Sequence, residues 1–129
     1  MFFYPSIPIP PSFQQKRKVM KSMNKVQLIG YLGKDPVFKT MRDQTTMIKM
    51  HLATNHWFFP KEGKKKQFTD WHTITMWGKQ QIEKFRNYLI KGSHVLVEGR
   101  VIYRRYTNAQ GQTKYVTEIR ANYLVDLDR

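Results

Sequence analysis

Apolar and polar residues alternate in five stretches after residue 23, at the two-residue period of half-buried β-strands. The stretches span residues 24–32, 46–54, 69–77, 94–105 and 114–125. In the second stretch Ile48, Met50 and Leu52 share one face, which we expect to enter a hydrophobic core. The pattern therefore predicts a small protein built mainly from strands.

One stretch has a helical rhythm instead. Between residues 79 and 90, Ile82, Phe85 and Leu89 recur at helical spacing, and Gly92 follows where a C-terminal cap belongs. The order is β-β-β-α-β-β, which predicts an all-β protein with the OB fold, a five-stranded Greek-key barrel with one short helix between strands three and four. OB folds commonly bind oligonucleotides, but the fold alone does not fix a function.

Residues 1–22 differ from the rest of the chain. They contain four prolines and four basic residues, no acidic residue, and no helical or strand period. We predict a flexible, basic, proline-rich N-terminal extension over 1–22, followed by one OB-fold domain over 23–129. Three interpretations of the extension remain open: a start codon chosen upstream of Met23, which we favour, a flexible arm, or a cleaved organellar presequence. Prolines disfavour the last because they oppose an amphipathic helix.

Charge and aromatic content narrow the class of partner. The 129-residue chain has 23 Lys and Arg against 9 Asp and Glu, a formal charge of +14, together with eight Phe, seven Tyr and three Trp. Such an excess predicts a polyanionic partner, and the aromatics favour nucleic acid over a membrane surface. No cysteine is present, which excludes disulfides, and no apolar run reaches the roughly 18 residues of a membrane span.

Trp71 and Trp77 are the most informative pair of side chains. They lie six residues apart on one predicted strand, so both point to the same face, roughly 20 Å apart, while Ile74 and Met76 point the other way. Bases stack on aromatic side chains in a sequence-tolerant way, each contact contributing roughly 1–3 kcal/mol. Packing within the protein is the competing explanation for a strand tryptophan, but two on the face away from the core favour base stacking.

Further aromatic residues are predicted to lie in or beside loops, next to cations. Trp57 and Phe58 open the predicted loop after the second strand, beside the basic cluster at 61–66, and Tyr106 follows Arg104 and Arg105. Loops that interleave aromatic rings with cations can contact both bases and phosphates. We therefore expect these residues to contribute to the same binding surface.

The sequence offers no catalytic pattern. The four histidines have no metal-ligand spacing, the nine acids are scattered, and neither a nucleophile elbow nor a phosphate loop occurs. We therefore expect no metal, no cofactor and no enzymatic activity.

An ordered set of motifs resembles one family. The segment 24–36 (NKVQLIGYLGKDP) is similar to the opening strand of the bacterial and mitochondrial single-stranded-DNA-binding proteins. The segments at 52–54 (LAT), 70–72 (DWH), 77–79 (WGK), 91–93 (KGS) and 97–100 (VEGR) follow in the family's order and spacing. The resemblance covers residues 23 to about 127.

The resemblance implies an OB fold, a homotetramer, and sequence-nonspecific binding of single-stranded DNA during replication, recombination and repair. Carried over by position, it assigns base stacking to Trp57, Trp71, Trp77 and Tyr106, and phosphate contacts to Lys79, Lys91 and Arg105. From strand parity and neighbouring residues we add Phe58, Lys25, Lys49 and Arg104. The resemblance also implies subunit contacts at the first strand, which holds Asn24 and Val26, and at His72.

Some expectations and alternatives stay open at this stage. Many bacterial members end in an acidic tip that recruits other enzymes, whereas this sequence stops at Leu127-Asp128-Arg129. Recruitment of replication and repair enzymes through such a tail is therefore in doubt for this chain. The alternative functions are a primosome-type replication accessory, an RNA-binding module and, from a different class, a metal-dependent nuclease. We expect the protein in the bacterial cytoplasm at the nucleoid, with mitochondria as the alternative.

Overall fold

The structure is a computed structural model and describes residues 20–129. Its strands are β1 (Val26–Leu32), β2 (Val37–Thr40), β3 (Thr46–Phe58), β4 (Lys66–Gly78), β5 (His94–Thr107) and β6 (Thr113–Asp126). One α-helix, α1 (Gln80–Glu83), continues into a 3₁₀ turn at Lys84–Asn87. Most of the predicted extension over 1–22 lies outside the described residues, so its character stays a prediction.

The strands form one sheet that closes on itself. Its order is β1-β5-β6-β4-β3-β2, and an additional pairing of β1 with β3 completes a barrel of five strands, from which β2 is excluded. All neighbours are antiparallel except β4 and β6, which are parallel around Ile74 and Ile119. The predicted OB fold, with its helix between the third and fourth barrel strands, is confirmed.

The core follows from the alternation along the strands. Ile48, Met50 and Leu52 are fully buried, as their shared face predicted, and Ile74 and Val95 meet them from β4 and β5. The helical segment adds three buried side chains to the same cluster: Ile82, Phe85 and Leu89. Since burial of one such side chain contributes roughly 1.5–3 kcal/mol, this barrel interior is the main source of stability.

The structure corrects several predicted boundaries. The helix is shorter than 79–90, because only Gln80–Glu83 is α-helical. The short strand β2 was not predicted, and it pairs only with the start of β3. Strands β3 and β5 run further than expected, so Trp57, Phe58 and Tyr106 are strand residues rather than loop residues.

Two long hairpins extend from one end of the barrel. Strands β3 and β4 pair as far as Phe58 and Lys66, and β5 and β6 pair as far as Thr107 and Thr113. Because β4 and β6 run parallel and each begins at a hairpin tip, both tips project in the same direction. Within residues 20–129 no helix is long and apolar enough to span a membrane.

Candidate nucleic-acid interface

The outward surface of β3 and β4 carries all three tryptophans. Trp57 projects from β3, and Trp71 and Trp77 project from β4, all on the side of the sheet opposite to the buried Met50 and Ile74. We call this surface, together with the adjoining side of the β5–β6 hairpin, the tryptophan face. Trp71 is 62% exposed although it is a large apolar side chain, so its indole is available to a ligand rather than used for packing.

A glycine fixes where the Trp71 indole lies. A Cβ built on Gly33 would come within 2.3 Å of the ring carbon Cζ3 of Trp71 and within 2.6 Å of Cη2. The ring therefore lies flush against the backbone of the β1–β2 loop, at a distance that any larger residue would prevent. Gly33 is also held by its amide, which donates to the carbonyl of His51 at 3.0 Å.

Trp57 lies near the tip of the β3–β4 hairpin beneath a lysine. The Nζ of Lys65 is 3.8 Å from the centre of the Trp57 ring and 5.7 Å from that of Phe59. Because a cation above an aromatic face is attracted by the ring's electron density, the contact keeps a positive charge directly beside the indole. The sequence predicted a mixed basic and aromatic segment here but did not identify Lys65 or Phe59 individually.

Trp77 forms one wall of a groove of about 350 Å³ that crosses the four strands β3, β4, β5 and β6. Its other walls are the side chains Met47, Lys49, Thr75, Arg104, Glu118 and Arg120. Arg120 comes from β6, and its guanidinium carbon is 5.8 Å from the centre of the Trp77 ring. Predicted residues from β3, β4 and β5 thus meet in one place, namely Lys49, Trp77 and Arg104.

A buried carboxylate organises the cations of this groove. Glu118 is only 3% exposed, and its Oε1 accepts a 2.8 Å hydrogen bond from Nε of Arg104 and lies 3.9 Å from the guanidinium of Arg120. Arg120 in turn donates from Nε to Oγ1 of Thr75 at 3.1 Å. The other carboxylate oxygen of Glu118 has no hydrogen-bond partner among the described residues. Both arginines are therefore held in place at the surface before any ligand arrives.

His51 reports the positive potential of the tryptophan face. Partial burial, followed by the charges of Lys34 and Lys49, holds the pKa of His51 below its ordinary value. His51 and Lys49 pair with Thr73 and Thr75 of β4, so both lie between the Trp71 and Trp77 positions. Neither Lys34 nor His51 was predicted, because only pairing of β3 with the β1–β2 loop brings them together.

Two predicted DNA contacts point away from this face. Phe58 follows Trp57 in the same strand, so it points to the other side, where its ring meets Phe68 edge-on with centroids 6.3 Å apart. Arg105 likewise lies opposite Arg104, while Tyr106 shares the side of Arg104. The structure thus separates two pairs of neighbours that the sequence analysis had grouped together.

Three predicted cations are spread over other parts of the surface. Lys79 directly follows the Trp77-Gly78 end of β4. Lys91 is tied to the β1–β2 loop, since its amide donates to Oδ1 of Asp35 at 2.7 Å. Lys25 precedes β1 and lines a shallow groove with Glu98 and Arg100, away from the groove of Trp77.

The residues predicted for subunit contact have partners within the chain. Asn24 makes two hydrogen bonds to the backbone of Val101, and Val26 packs partly against the core. His72 is half-buried, and its Nε2 lies 2.8 Å from Oγ1 of Thr54. The subunit contact remains a prediction for all three.

An apolar surface was missed on the outside of β1 and its neighbours. Ile29, Tyr31 and Tyr123 are more than half exposed there, and Tyr31 stacks on His94 with ring centroids 4.5 Å apart. Alternation along the predicted first strand could have identified Ile29 and Tyr31. Among residues 20–129, no group of three or more His, Cys, Asp or Glu side chains could hold a metal ion.

Comparisons with known proteins agree with this geometry. Residues 23–127 match the single-strand binding protein family. The single-stranded DNA-binding protein 1 of Xylella fastidiosa (strain 9a5c) is 39% identical over 103 residues, which cover 79% of this chain and 75% of that protein.

Two solved structures have a similar fold. One is a complex of the Plasmodium falciparum SSB with single-stranded DNA, with a TM-score of 0.75 and 32% identity, covering 86% of this chain and all of that one. The other is a deletion mutant of the single-stranded DNA binding protein from Thermus aquaticus, with a TM-score of 0.70 and 26% identity, covering 81% of this chain and half of that one.

Proposed function

Because this chain belongs to the single-strand binding protein family and binds single-stranded DNA, we propose that the strand lies along its tryptophan face. The observation that carries the proposal is the exposure of Trp57, Trp71 and Trp77 on one side of a basic sheet. Replication, recombination and repair, which are typical of this family, are the processes in which such a protein acts.

In the proposed mechanism, aromatic rings contact the bases and cations contact the phosphates. Bases stack on the three indoles and on Tyr106, and the groove cations Lys49, Arg104 and Arg120 pair with phosphates. Stacking tolerates any base because every base has a π face, so the strand is held without being read. Glu118 supports this mechanism because it fixes both arginines in advance and so reduces the entropy lost when they contact phosphate.

We also propose that the protein binds DNA without catalysing a reaction, as is general for its family. A digestion assay with single-stranded DNA and added Mg²⁺ tests this directly. Intact DNA after prolonged incubation is expected, whereas cleavage that depends on Mg²⁺ would support the nuclease alternative.

A homotetramer is the assembly that we propose for this chain. The exposed apolar surface of Ile29, Tyr31 and Tyr123 supports it, because such a surface on a basic protein is more stable when covered by another subunit. We propose that His72 lies near a subunit boundary, so that His72→Tyr shifts the equilibrium toward monomers. Sedimentation at low micromolar protein should show this shift, and a wild type that is monomeric under these conditions would contradict the assembly.

The proposed location is the bacterial cytoplasm at the nucleoid, with mitochondria as the alternative. Imaging of a tagged full-length chain in its own host distinguishes the two.

Competition binding tests the function itself. Labelled oligo-dT should be displaced by unlabelled oligo-dT far more effectively than by a duplex of equal length, because paired bases cannot stack on the indoles. Trp71→Ala should weaken binding, and Trp71→Phe, which keeps a π face, should retain most of it. Stronger displacement by oligo-U than by oligo-dT would favour an RNA-binding module, and weak binding to every single strand would favour a replication accessory protein.

A further inference from the structure

The outer part of the β5–β6 hairpin stands clear of the rest of the sheet. Pairing of β1 with β5 ends at Gly99, and pairing of β4 with β6 involves only 119–121, whereas β5 and β6 pair with each other out to Thr107 and Thr113. From about Tyr103 to the tip, the hairpin is therefore a two-stranded ribbon with both of its faces open.

The two faces of this ribbon carry different side chains. The side that belongs to the tryptophan face has Arg104 and Tyr106. The opposite side, which we call the reverse face, has Tyr103, Arg105 and Tyr115, accompanied only by threonines near the tip. Tyr103 pairs with Thr117 and Arg105 pairs with Tyr115, so the two tyrosines are diagonal neighbours, and Arg105 adjoins Tyr103 along its own strand and Tyr115 across the pair.

The reverse face is unusual in its exposure and charge. Tyr103 and Tyr115 are each 78% exposed, more than any tryptophan of the tryptophan face. Every residue on this side of the ribbon is either neutral or, in the case of Arg105, positive, so no carboxylate opposes an anionic ligand. Two open aromatic rings next to a guanidinium are the components that hold single-stranded nucleic acid.

We propose that the reverse face binds a second segment of the single-stranded DNA that lies on the tryptophan face. A strand that leaves Tyr106 passes around the free edge of the ribbon and stacks bases on Tyr103 and Tyr115, with Arg105 on the phosphate between them. This inference rests on the proposed function. It also accounts for Arg105, which points away from the tryptophan face and therefore cannot contact a phosphate there.

Oligonucleotide length separates the two faces. An OB fold occupies about 4–16 nucleotides, so an oligo-dT of about 8 nucleotides fills the tryptophan face only, and one of about 40 can also pass around the ribbon. Nitration of the wild-type protein by tetranitromethane, followed by mass spectrometry, measures how accessible each tyrosine ring is. We expect Tyr106 to be protected by both oligonucleotides and Tyr103 and Tyr115 to be protected by the long one alone.

Variants provide an independent measure. The double variant with Tyr103→Thr and Tyr115→Thr should bind the long oligonucleotide at least fivefold more weakly for each lost stack, and the short one as wild type does. Arg105→Gln should reduce the salt slope by about 0.7 with the long oligonucleotide only. Arg42→Gln, which removes one charge from the β2–β3 turn at the other end of the barrel, is the matched control and should leave affinity for both lengths little changed.

Several outcomes would overturn the proposal. Equal nitration of Tyr103 and Tyr115 with and without the long oligonucleotide would show that DNA does not reach them. Protection before any DNA is added, increasing with protein concentration, would show that a second copy of the chain covers the face. Failure of wild type to bind either oligonucleotide would instead refute the proposed function, which distinguishes the two failures.

Discussion

Gly33→Ala should weaken DNA binding indirectly. The new methyl group displaces the Trp71 indole and makes no contact with DNA itself. The added Cβ would lie 2.3 Å from Cζ3 of Trp71, where carbon atoms normally approach to about 3.5–4.0 Å, so the ring must move by more than about 1 Å. Gly33 has no positive φ, and alanine therefore accepts its backbone conformation. The exposed indole can swing outward at little cost in stability.

The magnitude follows from the loss of one stacking platform. A stacked base contributes roughly 1–3 kcal/mol, so complete displacement of the ring lowers affinity for oligo-dT about 5- to 150-fold. Titration of labelled oligo-dT by anisotropy measures the affinity, and thermal unfolding of the free protein should show nearly unchanged stability.

A double-mutant cycle makes the reasoning refutable. If Gly33 acts only through Trp71, then Gly33→Ala has no further effect once Trp71→Ala is present. An equal loss of affinity in both backgrounds would show that the loop acts on DNA by another route. Wild-type affinity for Gly33→Ala alone would show that Trp71 does not contribute a stacking surface at its observed position.

Two further predictions concern stability. Gly99→Ala places a Cβ 2.1 Å from the carbonyl oxygen of Arg120, and a backbone atom cannot move aside as a side chain can. We therefore expect at least about 1–3 kcal/mol of destabilisation in thermal or urea unfolding. An unchanged unfolding transition would contradict this packing. The pKa of His51 is held low by partial burial, Lys34 and Lys49. As the pH falls below about 6.5, His51 therefore becomes protonated in the unfolded chain before it does in the folded one, and the free energy of unfolding falls. His51→Gln should flatten that decline between about pH 7.5 and 5.5, and an equally steep decline would show that other groups cause it.

Strand parity was the part of the fold that sequence predicted best. Ile48, Met50 and Leu52 are buried, and Trp71 and Trp77 are on the outside, because alternation depends only on local backbone geometry. The strand Val37–Thr40 was missed, since four residues that pair along only one edge are too short to show a period.

Alternation along a strand determines the orientation of adjacent hairpin residues. Trp57 and Phe58 are adjacent, as are Arg104 and Arg105, so within a strand each pair must point to opposite faces. Trp57 and Phe58 lie beyond residue 54, where the sequence predicts the strand to end, whereas Arg104 and Arg105 lie within the predicted strand 94–105, so alternation alone predicts their opposite orientations. Pairing with the opposite strand extends both hairpins, and such pairing is a tertiary effect.

The groove beside Trp77 could not be predicted from a single sequence. Glu118, Arg120 and Thr75 meet because β6 runs parallel to β4, a contact between segments more than forty residues apart. No local pattern marks Glu118 as the buried acid among nine. The same holds for Gly33, whose importance depends on the ring that lies against it.

Tryptophan fluorescence during titration with oligo-dT, repeated at several salt concentrations, tests the central claim most directly. Stacking of bases on Trp57, Trp71 and Trp77 should quench the emission, and the logarithm of the affinity should fall linearly with the logarithm of salt concentration, by about 0.7 for each phosphate contact. Emission that stays unchanged at saturating oligo-dT, or an affinity independent of salt, would contradict DNA binding along the tryptophan face.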